Sequence, residues 1–299
     1  MKTTSKGIMA AVLAVASIGQ LQAKGPENGG KSKGDHRADG HGRDDSPGRS
    51  LDVVGLTRDQ RLLRFDEYSP DRAKSSMPIS GLTGSDTALV GIDYRVQDGK
   101  LYGVGNAGGI YTVNPKTGVA VYVNSLSVAL SGTSFGVDFN PVADRLRVIS
   151  DTGQNLRHNV NAGGITLADS TLNYTLGSPA QSISGAAYTN NDLDATTSTT
   201  LYDIDTALDQ VVLQSPPNAG SLAATGKLTV DTSLETGFDI YSTLRDGVTV
   251  DVEALASLSS PTGTASLYSV HLPTGKVTWR GTFKPSDLVM DIAIPLDQF

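Results

Sequence analysis

A short strand-like phrase recurs along the chain as Gly91-Ile92-Asp93-Tyr94, Gly136-Val137-Asp138-Phe139, Gly185-Ala186-Ala187-Tyr188, Gly237-Phe238-Asp239-Ile240 and, more loosely, Val289-Met290-Asp291-Ile292. Its third position advances by 45, 49, 52 and 52 residues (138−93, 187−138, 239−187, 291−239). A period of roughly 40 to 50 residues, filled with short β-type runs and turn residues and lacking helical periodicity, is the pattern of a β-propeller, one four-stranded sheet per repeat. The chain is therefore expected to be all-β, a five-bladed propeller, with a sixth blade only if the region 241–264 holds another sheet.

The repeats can be laid over one another. In the clearest, Leu89 to Tyr94, Lys100 to Val104, Ile110 to Asn114 and Val119 to Leu126 read as four strands separated by Gly and Pro turns. One blade is left incomplete at each end of the chain. Val289 to Ile294 would supply its inner strand, and Val53 to Leu56, Arg61 to Phe65 and Pro78 to Leu82 the other three. Mixing both termini in one sheet closes the ring and removes open edges.

Residues 1–23 carry Lys2 and Lys6, an apolar stretch of about a dozen residues and Leu21-Gln22-Ala23, the anatomy of a cleaved secretory signal. Residues 24–50 are rich in Gly, Asp, Lys, Arg and His, with almost nothing apolar to offset the entropy of ordering, so a flexible leader is expected before a single domain at 51–299. His36 and His41 lie among aspartates there and suit loose cation binding, although a solvated linker explains them as well. No later segment is apolar enough to span a membrane. The expected product is exported, periplasmic or extracellular, and monomeric.

Zero cysteines exclude disulfides, thiolate metal sites and a cysteine nucleophile, and a net charge of −7 argues against nucleic acid as a partner.

The first two phrases, Leu101-Tyr102-Gly103, Gly132-Thr133-Ser134-Phe135 leading into the second phrase, and Asn140-Pro141 form a recognisable set with Asp144-Arg145-Leu146-Arg147-Val148, Asp151-Thr152-Gly153-Gln154-Asn155-Leu156-Arg157 and Ala187-Tyr188-Thr189-Asn190. Through them the stretch from about Leu51 to Ile294 resembles a bacterial secreted family known as domain of unknown function 4394. The resemblance implies an exported, propeller-like protein and brings no catalytic residues with it.

Several chemistry-like motifs have ordinary explanations. Gly132-Thr133-Ser134-Phe135-Gly136 matches a nucleophile elbow, but that device needs a helix after the serine, and a strand follows here. Gly103 to Gly108 spells a dinucleotide-binding fingerprint, yet the next residues are strand-like, which makes it a hairpin turn. Asn190 to Asp194 approaches a calcium loop without the glycine or the glutamate that loop requires. Asn173-Tyr174-Thr175 matters only where glycosylation occurs.

Two residue sets could carry function. Asp93, Asp138, Asp239 and Asp291 occupy the same place in four repeats; pointed into a central channel, they would raise one another's pKa or call for a hard cation such as calcium. The alternative is that each accepts backbone N–H groups and joins adjacent blades. Arg145, Arg147, Asn155 and Arg157, with His158, lie on two adjacent strands of one blade and could hold an anionic or polyol ligand, or form ion pairs with Asp138, Asp144 and Asp151.

The reading is a secreted binding module of unassigned ligand or protein partner, with a structural cation in the channel as an added expectation. A hydrolase of glycosidic or phosphate ester bonds using channel carboxylates is the alternative.

Overall fold

A computed structural model describes residues 50–299. The expected signal segment 1–23 and all but the last residue of the leader lie outside the described residues. Five four-stranded antiparallel sheets carry the fold, with one two-stranded ribbon, Asn173–Thr175 against Ser178–Pro179. The first blade runs Val289–Ala293, Asp52–Thr57, Arg61–Asp66, Ser75–Pro78 from inside outward, so its inner strand comes from the C-terminal end of the sequence. The second to fifth blades are sequential, their inner strands Leu89–Arg95, Phe135–Asn140, Ile183–Tyr188 and Thr236–Arg245.

Inner strands are buried along nearly their whole length, while the outer strand Ala120–Ser125 is mostly exposed. Side chains alternate across each sheet, so one face of a blade packs on the preceding blade and the other on the next. The core accordingly divides into five apolar layers, one in each seam between blades.

Turns follow the local chemistry. In Asn114 to Gly118 the Asn114 side chain accepts the Lys116 N–H at 2.9 Å, and Gly118 adopts the left-handed conformation that closes the hairpin.

The structure departs from the sequence reading in two places. Region 241–264 is taken up by one long hairpin, Thr236–Arg245 against Val248–Ser259, so it holds no sixth blade. The outer strand expected at 78–82 lies earlier, at Ser75–Pro78. Half-exposed outer strands give only a weak alternation to locate them by. Among the described residues, no helix is long and apolar enough to cross a membrane.

Candidate functional site

An inner strand has a neighbour on one side only, so every second backbone N–H points away from the ladder toward the axis. Buried there, each needs an acceptor. For the residue following the phrase's third position, aspartates supply all five. Phe139, Tyr188 and Ile294 donate to the carboxylate of the preceding blade: to Asp93 at 2.7 Å, Asp138 at 3.1 Å and Asp239 at 2.5 Å. Tyr94 and Ile240 follow blades that present Ala293 and Ala187, and they donate instead to their own Asp93 and Asp239, each at 2.6 Å. Three carboxylates thus serve five N–H groups, and two alanines are accommodated without an orphan.

Asp291 is displaced from the position expected for it. Ile294, not Ile292, is the N–H bonded to Asp239, and a Cβ built on Gly237 would meet the Asp291 Cα and the Ile292 N at 2.6 Å. A Cβ on Gly136 would likewise approach the Ala186 N at 2.7 Å and the Gly185 carbonyl carbon at 2.9 Å. Asp291 therefore stands at the glycine position of its blade and Ala293 at the aspartate position, two residues from the sequence alignment. A shift of two preserves the face, so the carboxylate still reaches the axis. There it accepts Ile92 N–H at 2.7 Å and Ile292 N–H at 2.9 Å, one layer from the other three.

Asp93, Asp138 and Asp239 each bring a carboxylate oxygen within 4.8 Å of the others. Burial, and after it the neighbouring carboxylates, hold Asp93 and Asp138 well above the usual carboxylate range; burial does the same to Asp291 and lifts Asp239 to about 6. All four are at most 5% exposed, and seven of their eight oxygens (two each on Asp93, Asp239 and Asp291, one on Asp138) accept a backbone N–H. A substrate entering the channel would have to displace these donors. A small hard cation could share the same oxygens, through lone pairs that the N–H groups leave open.

The arginines lie in the seam between the third and fourth blades. Arg147 is opposite Asp138 on one side and Arg157 on the other in the strand register, so all three face the fourth blade. Arg147 is buried and holds four partners: Tyr188 Oη at 3.2 Å, Asn155 Oδ1 and Asp169 Oδ2 at 2.7 Å, and Asn218 Oδ1 at 2.9 Å. The Asp169 carboxylate is shared with Arg157 Nε at 2.8 Å. Arg145 donates to the carbonyls of Ala143 and Asp144.

Together with Asn140, Tyr188, Pro217 and Asn218, the three arginines line a cavity of about 220 Å³. Asn155 sits behind it, buried and donating to the Ser170 and Pro217 carbonyls, so of the four expected ligand residues it braces rather than lines. This seam has the thinnest apolar layer, nine buried residues against ten to twelve in the others, which leaves room for the polar network.

Two lining residues were not singled out as ligand contacts. Tyr188 follows the alanine of the third phrase, and strand alternation alone could have placed it beside Arg147. Asn218 lies in a 3₁₀ turn, Pro217–Ala219, held over the cavity by bonds from Ser170 N–H to the Asn218 carbonyl and from Asn173 N–H to the Gly220 carbonyl. Nothing in its sequence context signals that approach.

The other motifs resolve as structure. Ser134 donates to the Leu234 carbonyl at 2.6 Å, while His158 is occupied by Thr166 and Asn124. Gly103 to Gly108 ends one strand and turns into the next. Asp192 accepts the N–H and hydroxyl of Thr249, docking its loop on the long hairpin.

A family model described as domain of unknown function (DUF4394) matches residues 61–293. The chain belongs to this family. No curated protein matches it by sequence. Among solved structures it is similar to Kuenenia stuttgartiensis hydrazine synthase, with 10% identity, a TM-score of 0.40 and 67% of this chain against 50% of that one. It is also similar to an auxiliary nutrient binding protein from Bacteroides ovatus ATCC 8483, with 14% identity, a TM-score of 0.36 and 72% of this chain against 55% of that one. A putative 6-phosphogluconolactonase from Bacteroides uniformis ATCC 8492 is similar at 11% identity and a TM-score of 0.36, covering 79% and 83%. The chain spans about half the length of the first two. Likenesses this distant carry neither ligand nor chemistry over to this member of the family.

Proposed function

We propose that the chain is an exported binding module that captures a small polar ligand in the arginine-lined cavity between its third and fourth blades. The supporting observation is an imbalance: three guanidinium groups line the cavity, and among the described residues a single carboxylate, Asp169, is bonded to any of them. Arg147 and Asp169 already make a balanced buried pair, as burial of charge requires; Arg145 and Arg157, both only partly buried, add positive charge at the cavity that holding two blades together does not need. Rigid strands carry Arg145, Arg147 and Arg157, which suits recognition rather than turnover, since none of the described residues lining the cavity is a carboxylate, serine, threonine or histidine.

Chemical-shift mapping with a panel of neutral sugars, sugar acids and phosphate esters tests this. Signals of Tyr188, Arg157 and Asn218 should move with at least one compound. Movement confined to residues outside the cavity, or conversion of any panel compound into product, goes against it.

A channel cation is a second reading, supported by the 4.8 Å grouping of Asp93, Asp138 and Asp239 oxygens. Calcium would replace the protons that burial otherwise retains there. Melting with calcium and with chelator separates the two cases, because an ion at a hundred times its dissociation constant adds about 2.7 kcal/mol.

A further inference from the structure

We propose that the cavity between the third and fourth blades selects a compact oxyanion: a small polyhydroxy compound bearing one phosphate or carboxylate group. This rests on reading that cavity as the ligand site and names the chemistry it accepts.

Among the described residues, both terminal nitrogens of Arg157 and the second terminal nitrogen of Arg145 have no hydrogen-bond partner, although both side chains line the cavity. Asp169 grips Arg157 through Nε alone, at 2.9 and 2.8 Å to its two oxygens, which fixes the plane of the guanidinium and leaves its forked end open. A fork with two parallel donors matches two oxygens of a phosphate or carboxylate and has no comparable match in a single hydroxyl.

The charge around the cavity points the same way. Asp144 commits its carboxylate to Arg95, in a bidentate pair at 2.7 and 2.6 Å, and meets Arg145 through its backbone carbonyl and, without a hydrogen bond, through its charge. Asp138 and Asp203, the other acids near Arg147, are both fully buried, and burial favours their protonated forms. Among the described residues, Asp169 is thus the one carboxylate hydrogen-bonded to any of the three guanidinium groups, in a chain whose net charge is −7. An incoming anion would complete the balance.

Size limits what the anion can be attached to. A volume of about 220 Å³ falls below the 300–1,000 Å³ typical of drug-sized ligand sites. That size suits a phosphate or carboxylate on a short polyol better than a nucleotide or a polysaccharide chain. Tyr188, Asn140 and Asn218 supply neutral groups for the hydroxyls.

The test is calorimetry and melting of the full chain with inorganic phosphate, glycerol phosphate and glycerate, and with glycerol as the neutral control. Phosphate and at least one of the two charged polyols should bind at one site per chain, weakening as salt rises, while glycerol gives no heat. Comparing glycerol phosphate with glycerate decides which oxyanion is preferred. Arg157→Ala should weaken binding about ten- to a hundredfold, and Arg157→Lys should restore only part, since an ammonium lacks the fork. The Arg157 side chain is 32% exposed, so both variants should fold, which their melts without ligand check.

Equal binding of glycerol and its charged forms, unchanged affinity in Arg157→Ala, or no heat from any anion at millimolar concentration would each overturn the proposal. If neutral polyols still shift Tyr188 and Asn218, the oxyanion preference fails and the cavity stands as the binding site. If neither neutral nor charged compounds shift them, both readings fall.

Discussion

Asp93 of the second blade accepts the Phe139 N–H of the third at 2.7 Å while its other oxygen accepts the N–H of Tyr94 in its own strand at 2.6 Å. One carboxylate thereby ends two inner strands at once. Asp93→Ala should leave both N–H groups buried and unpaired, at about 1–3 kcal/mol each. Asp93→Asn keeps one carbonyl oxygen and relieves the repulsion from Asp239, so it should cost clearly less. Denaturant melts of the two variants check this; an alanine variant as stable as the parent would remove the pinning role.

Glu67 and Asp239 should lower stability as pH rises from about 4.5 to 7, against His158, which burial lowers to about 4 and which therefore adds stability as pH rises toward 6.5. Glu67 is raised to about 7, first by burial and then by Glu253, and Asp239 to about 6 by burial. Both bind protons in the folded state that the unfolded chain has released, so the folded form loses ground as pH climbs through each interval, by up to about 1.4 kcal/mol per pH unit per proton. Glu67 lies in the seam between the fifth and first blades, accepting the Leu51 N–H and facing Arg280 and Glu253. Melting across pH 4.5–8 should therefore show a steeper decline in the parent than in Glu67→Gln. An equal slope in the parent and in Glu67→Gln contradicts the assignment.

The glycines of the repeated phrase are required by close approach, and their costs should differ by seam. On Gly237 a Cβ would meet backbone atoms of Asp291 and Ile292 at 2.6 Å, which cannot yield without opening the ring. On Gly185 it would meet the Phe238 Cβ at 3.0 Å, a milder overlap. Gly237→Ala should exceed the usual overpacking cost of about 1–3 kcal/mol, and Gly185→Ala should stay within it. Equal melting points for the two variants would mean that the inner strands do not converge as described.

The same glycines explain how much was legible beforehand. Convergence of five strands on an axis demands a residue without a side chain once per blade, and that demand writes the repeat into the sequence at Gly91, Gly136, Gly185 and Gly237. The first blade evades it by placing Asp291 where the others have glycine, so its phrase looked aligned while standing two residues out of step. Period-2 alternation was enough to put Arg147 and Arg157 on one face. It could not show that Asn218, carried in by a turn some sixty residues later, would cover them, because long-range approach leaves no local pattern. Asp203 was silent for a related reason: a single aspartate in a strand reads as solvent-facing until the neighbouring blade is placed over it.

Asp203 offers the sharpest test of how that seam is built. It pairs with Ala186 and Val212 in the middle of the fourth blade, is wholly buried, and neither carboxylate oxygen has a hydrogen-bond partner among the described residues. Burial pushes its pKa well up, and the positive charge of Arg147 offsets this only in part. An unpaired buried acid costs about 1–3 kcal/mol, whereas valine at the same place would add apolar contact with Ala186 and Val212 in a strand that favours β-branched residues. Asp203→Val should therefore raise the melting midpoint, and more so at pH 8 than at pH 5, because only the acid must hold its proton as pH rises. Loss of stability instead would mean that the carboxylate is engaged electrostatically by Arg147, and that the positive surplus in the cavity is smaller than its hydrogen bonds imply.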